Sequence, residues 1–367
     1  MARAIAILLV VMVHVWLFVI APAVSTLSPG SLALFRLADA GAAGVGLFFV
    51  ISGYLLNLLY SASKFSPKVY WMRRLARIYP AWIFWTLVAV AAAISVQVFG
   101  LSVSPYGASV VPDSPLNVLL LVLHLLFLGF LMPSIWNSVI PGGWSIQAEI
   151  FNYALFPLVR RFPFWVVLLV AIGAELVQFV VFSFPNAISA SADWSRIVST
   201  YLTSPVWFVC GIFLSRYVHR ERSAAAVREG ALEASLVAIC LAFAALVGLS
   251  GPFVSQATTL VIVLGATAVS YLVVRSGRWR WLAEIGKYSY GIYFGHLLFL
   301  APLGWAASRI ASAIGPSVNV GWAAVLFAVT YSLALALSFA TARLVFELVE
   351  KRPLRWARER TSKVPMP

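Results

Sequence analysis

Apolar residues fall along this chain in long blocks separated by short polar gaps. A block of about twenty residues crosses roughly 30 Å of hydrocarbon as a helix, and a helix satisfies its own backbone polar groups in lipid. The pattern predicts crossings at 5–22, 40–60, 78–100, 145–160, 163–184, 198–217, 232–250, 254–275, 287–308 and 320–346. The stretch 116–133 is apolar enough to be an eleventh. The fold expected is all-α: a polytopic transmembrane helical bundle of about ten helices. One continuous membrane domain covers 1–350, and a basic cytoplasmic tail follows over 351–367.

Composition excludes a soluble domain, because 62% of the 367 residues are hydrophobic and 10% charged. A net charge of +14 would point to nucleic acid in a soluble chain. Here the basic residues cluster in short loops, where they orient a membrane protein, so no nucleic-acid partner is expected. If 116–133 does not cross, the basic loops 64–77, 160–161, 216–228 and 275–280 share one side with Arg3 and the tail. The opposite loops then hold only Arg36, Arg196 and Arg309. If 116–133 crosses, the later loops invert. Positive charge inside therefore favours ten crossings, both termini cytoplasmic, and 116–133 re-entrant or buried on the outer side. Ala21-Pro22-Ala23 imitates a signal-peptide cleavage site. Cys210 and Cys240 lie in apolar segments with no partner at metal spacing, so neither a disulfide framework nor a metal site is expected.

Against this apolar background each ionisable group is a candidate for function. Arg73, Arg74 and Arg77 stand in Y-W-M-R-R-L-A-R-I-Y-P. Lys64 and Lys68 already suffice for orientation. Arg74 and Arg77 share a face if the stretch is helical, and paired guanidinium forks suit phosphate. Pro80 suits the first turn of the helix that follows. His14 lies about 16 Å along its helix from Arg3, near mid-membrane. It is read either as a packed histidine or as a general base. His296, about 13 Å beyond Lys287, reaches similar depth, with Tyr290, Tyr293 and Ser289 below it. Glu149, near the outer end of its crossing, needs a partner such as Arg or His. Glu175 and Gln178 share a face of the fifth crossing. His124 and His219 read as incidental, and Glu347 and Glu350 as part of a solvated tail. Small residues at Gly46, Ser52 and Gly53 suit close helix packing or a substrate tunnel.

Taken together these motifs resemble the acyltransferase-3 family of membrane acyltransferases. R-A-I-A-I-L-L-V-V-M-V-H is similar to its first helix, and G-V-G-L-F-F-V-I-S-G-Y-L-L to its second. R-R-L-A-R-I-Y-P resembles its cytoplasmic arginine motif, and W-S-I-Q-A-E-I-F-N-Y-A-L-F-P its tryptophan-serine-glutamate helix. I-G-K-Y-S-Y-G-I-Y-F-G-H and F-E-L-V-E-K-R-P-L resemble its last conserved helix and C-terminal end. The matches run in order from residue 3 to residue 354. Leu47 after Gly46 and Ile150 after Glu149 depart from the family pattern.

The resemblance implies O-acyl transfer, usually of acetyl, from cytoplasmic acetyl-CoA or another acyl-CoA to a hydroxyl. The acceptor would be a cell-surface glycan such as exopolysaccharide or lipopolysaccharide, peptidoglycan, or a small macrolide-type molecule. The setting would be a bacterial inner or plasma membrane and its lipids. Arg74 and Arg77, with Arg73 and Arg3, would hold the coenzyme. His14 would be the base or an acyl relay, and Glu149 would polarise it or the acceptor. Tyr290, His296, Trp144 and Ser145 would line the substrate side. The competing classes are a transporter of polyprenyl-linked sugars, which would show inverted repeats or paired broken helices, and a structural membrane protein. No convincing internal repeat is visible.

Overall fold

Wherever the apolar blocks are described, they are helical. The computed structural model describes residues 1–24, 38, 40–60, 65–99, 114–137, 139–163, 166, 169, 173, 192–220, 265, 281–315 and 319–361. In chain order the main helices are α1 (Ala2–Ala23), α2 (Ala43–Tyr60), α3 (Pro67–Phe99), α4 (Pro115–Leu125) and α5 (Gly143–Val159). They continue with α6 (Ala192–Arg220), α7 (Trp281–Lys287), α8 (Ser289–Ile314) and α9 (Val320–Thr361). Five of these, α1, α2, α3, α8 and α9, are long and apolar enough to cross a membrane. The expected crossings at 163–184, 232–250 and 254–275 fall outside the described residues, isolated positions apart, as do Glu175 and Gln178.

Three local readings change. The arginine stretch is helical from Pro67, so Pro80 lies inside α3 rather than in its first turn. Pro67 takes the opening position, where a missing N–H costs nothing. Helix α4 has 11 residues, about half a bilayer core in length. Ser114 caps it by accepting from the Asn117 amide at 3.2 Å, and it ends before Phe127, whose φ of 61° breaks helical geometry. Helix α9 does not stop at 346; it widens to a π turn over Phe346–Glu350 and runs on to Thr361. The charged end is not fully solvated, because Glu350, Ala357 and Thr361 form a buried face along it.

The chain forms two compact units. The first comprises residues 1–48 and 224–347. Its centre is α1, where Ala4, Ala6, Ile7, Val10, Val11 and Val15 are buried. Tyr331 of α9 donates to the Leu8 carbonyl of α1 at 3.1 Å. Helices α8 and α9 meet where Gly291 abuts Ala342. The second unit comprises residues 49–223 and 348–367. Helices α2 and α6 cross in backbone contact: a Cβ on Gly53 would stand 1.9 Å from the Phe208 carbonyl oxygen, and one on Gly211 1.9 Å from that of Val50. Beside this crossing, Asn57 donates to Ser215 at 3.1 Å. The rings of Tyr60, Phe65, Tyr70 and Phe156 pack together, Tyr70 and Phe156 stacked at 5.7 Å.

Candidate functional site

In the first unit, eleven residues of helix carry the chain from Arg3 to His14 and return it almost to the same face. Helix α8 meets that face at matching heights. The Arg3 guanidinium lies 5.6 Å from the centre of the Tyr290 ring. Higher up, His14 Nδ1 and His296 Nε2 are 2.9 Å apart, with ring centres at 5.0 Å. Higher again, Gly304 abuts the Phe18 carbonyl. The contacts climb both helices in the same order, so α1 and α8 run parallel. Just above His14 the helix loosens into a π turn, Trp16–Ile20, a feature frequent at functional sites.

The histidine pair has a definite polarity. His296 is fully buried, and its Nδ1 lies 3.1 Å from the Ile292 carbonyl oxygen. A carbonyl only accepts, so Nδ1 carries the hydrogen. With both rings neutral, His296 Nε2 is then bare and accepts from His14 Nδ1–H. His14 Nε2 is left with a free lone pair on a half-buried ring that stacks on Phe18 at 5.7 Å. His296 and Tyr290, expected to line the substrate side, are instead packed behind His14 and Arg3 respectively, and both are buried.

In the second unit, α5 turns Ser145, Glu149, Asn152 and Phe156 to one buried face, at helical spacing. The Glu149 carboxylate accepts from Ser52 of α2 at 2.7 Å and from Tyr153, one turn on, at 2.5 Å. The sequence argument looked for arginine or histidine beside Glu149; two hydroxyls stand there. Tyr153 also carries the Arg74 guanidinium 5.8 Å from its ring centre, and its carbonyl accepts from Tyr70 at 2.8 Å. Glu149 and Arg74 therefore belong to one cluster with Tyr153 between them. Arg73 donates from Nε to the Thr361 hydroxyl at 2.8 Å, and Arg77 supplies the positive charge facing buried Glu350. Ser145 donates to the Gly142 carbonyl at 3.1 Å, within its own helix start. Trp144 rests 5.9 Å from Trp136.

Ser52 and Tyr153 were missed as site residues. Ser52 was read only for its size, and Tyr153 is an ordinary aromatic position until α5 turns it beside Glu149. His124 is also less incidental than it looked. It is buried, stacks on Trp82 at 4.3 Å, and both ring nitrogens lack a hydrogen-bond partner among the described residues.

The Glu149 cluster makes a stability prediction. Glu149→Leu strands two buried hydroxyls, at about 1–3 kcal/mol each. We expect a clear drop in the thermal unfolding midpoint in detergent, whereas Glu149→Gln, which keeps an acceptor oxygen, stays close to the native protein. Equal midpoints for the two variants would remove this role.

The family model described as an acyltransferase domain matches residues 1–341. Among characterised proteins, the chain is similar to acyltransferase MdmB of Streptomyces mycarofaciens, 28% identical over 309 residues, covering 75% of this chain and 74% of the relative. It is also similar to the exopolysaccharide production protein ExoZ of Rhizobium meliloti (strain 1021), 29% identical over 304 residues, covering 80% and 84%. No solved structure matches the chain.

Proposed function

Because the chain belongs to the acyltransferase-3 family of membrane enzymes, we propose that it moves an acetyl or other short acyl group from cytoplasmic acyl-CoA to a hydroxyl of an extracytoplasmic glycan. It is an acyltransferase with several membrane-crossing helices; donor, acceptor and residue roles are our reading. The observation that carries the mechanism is the 2.9 Å contact from His14 Nδ1 to His296 Nε2, which leaves His14 Nε2 as the basic nitrogen.

The acceptor oxygen attacks the thioester carbonyl carbon while His14 Nε2 takes the hydroxyl proton. His296 Nε2 accepts from His14 Nδ1–H throughout and stabilises the imidazolium that forms. The tetrahedral intermediate expels the coenzyme sulfur, which takes that proton back. The products are an ester and free CoA thiol. Arg74 and Arg77 would bind the coenzyme phosphates, and Arg3 would orient the donor from the first unit. Glu149, held by Ser52 and Tyr153, would act on the acceptor side with Trp144 and Ser145. Similarity to an exopolysaccharide production protein supports a glycan acceptor.

We read the chain as about ten crossings of a bacterial inner or plasma membrane, with both termini cytoplasmic, a membrane domain over 1–350 and a basic cytoplasmic segment over 351–367. The parallel run of α1 and α8 supports this count. Seven predicted crossings between them leave the two parallel, whereas an eighth at 116–133 would make them antiparallel.

The test is label transfer from radiolabelled acetyl-CoA to a surface-glycan extract. A pair of charge-assisted contacts is worth about 3 kcal/mol or more, so Arg74→Ala/Arg77→Ala is expected to raise the KM for acetyl-CoA about 100-fold with kcat little changed. An unchanged KM would remove the coenzyme role of the arginines. Label found in a small secreted compound instead of the glycan would shift the acceptor to the macrolide-type class.

A further inference from the structure

The C-terminal segment of α9, Lys351–Thr361, lies beyond the region that matches the family. Its inner face is Glu350, Ala357 and Thr361, exposed by only 2%, 2% and 1%. Its outer face carries the exposed Lys351, Arg352, Arg355, Arg358 and Arg360. A segment this basic gains little from burial by itself, so specific contacts must hold it.

Those contacts are with the arginine end of α3. Arg73 Nε donates to Thr361 Oγ1 at 2.8 Å, and its Nη2 donates to the Thr361 carbonyl at 3.4 Å. The Thr361 hydroxyl donates in turn to the Ala357 carbonyl at 2.7 Å. The last carbonyls of a helix lack intrahelical donors and carry partial negative charge, and a guanidinium satisfies both needs. Buried Glu350 faces Arg77, one turn beyond Arg73 on α3.

We propose that this segment is a clasp that positions the arginine end of α3 for coenzyme. Arg73 holds the clasp and does not touch acyl-CoA. It is a positioning residue, and so is Thr361. The three arginines of one motif therefore divide: Arg74 stands free of the clasp, Arg77 answers Glu350, and Arg73 closes the helix end. The proposal rests on the reading of Arg74 and Arg77 as coenzyme ligands.

Two measurements on the full-length protein in nanodiscs separate clasp from coenzyme reading. The first is trypsin cleavage at the basic residues of 351–360, which reports undocking and needs no substrate. The second is the KM for acetyl-CoA beside kcat. We expect Thr361→Val to speed cleavage and raise KM about tenfold at constant kcat, and Thr361→Ser to restore both. Arg73→Gln should match Thr361→Val, and the double variant should be no worse than either single, since both remove one interaction. Additive effects on KM would mean that Arg73 binds coenzyme directly, and would overturn the proposal. Unchanged cleavage in Thr361→Val would remove the clasp. Faster cleavage with unchanged KM, when Arg74→Ala/Arg77→Ala does raise KM, would remove its link to the coenzyme. If the Arg74/Arg77 variant itself leaves KM unchanged, the coenzyme reading fails and the positioning role falls with it.

Discussion

Replacing His14 by alanine is expected to cut acyl transfer about 1,000-fold, at unchanged KM for acetyl-CoA, because a positioned general base contributes about 100- to 10,000-fold. A factor of that size is about 4 kcal/mol of barrier. The fold should survive, since His14 is half-buried and its loss strands only one nitrogen of His296. His296 then separates a packing role from a catalytic one. His296→Phe fills the space but cannot accept from His14 Nδ1–H, so the His14 ring loses its fixed tautomer. In a serine-protease triad, the wrong histidine tautomer costs about 10,000-fold. We expect about 100-fold here, because a neutral nitrogen replaces a carboxylate. His296→Gln, which keeps an acceptor oxygen, should recover part of the loss. The readout is label transfer from acetyl-CoA in single-turnover and steady-state assays. Full activity in His296→Phe would show that His14 needs no partner, and full activity in His14→Ala would end the base assignment. Label trapped on the native protein before acceptor is added, and absent from His14→Ala, would assign the acyl-relay route instead.

The largest structural effect is expected from Gly211→Val. The nearest atom to a Cβ there is a backbone oxygen of Val50 at 1.9 Å, and the Tyr54 amide nitrogen follows at 2.8 Å. A side chain in the way moves aside by rotating; a helix backbone moves only as a body. Overpacking normally costs about 1–3 kcal/mol, and a backbone clash belongs at or above the top of that range. Gly53→Val meets the Phe208 carbonyl in the same way. Parting α2 from α6 also pulls Ser52 from Glu149 and Asn57 from Ser215, so the polar cluster loosens with the crossing. We expect little monodisperse protein from either variant, and a sharply lower unfolding midpoint in what is recovered. Native-like stability in both would mean that this crossing is not tight.

Small residues in membrane helices announce close approach but not the partner. Gly53 was legible as a contact point; that its neighbour is the Phe208 carbonyl was not, because the two are far apart in sequence and nothing local couples them. The same limit explains Pro80 and the tail. Local rules put proline at a helix start and charges in solvent. Helix α3 overrides the first by starting thirteen residues earlier, and the packed end of α9 overrides the second.

The sequence by itself determined what lipid physics dictates. Apolar blocks of bilayer length must be helical, basic loops must gather on one side, and an ionisable residue amid hydrocarbon marks a place to look. That reasoning reached His14, His296, Glu149 and the arginines, and counting along helices put the two histidines at similar depth. Only the tertiary structure decided which of these meet. Hydrogen bonds act over about 3 Å, while helix periodicity fixes height and face within one helix but not the rotation of its neighbour. Packing alone therefore set His296 behind His14 and Tyr153 between Glu149 and Arg74. It also set Arg73 against the end of a helix that the sequence had left in water.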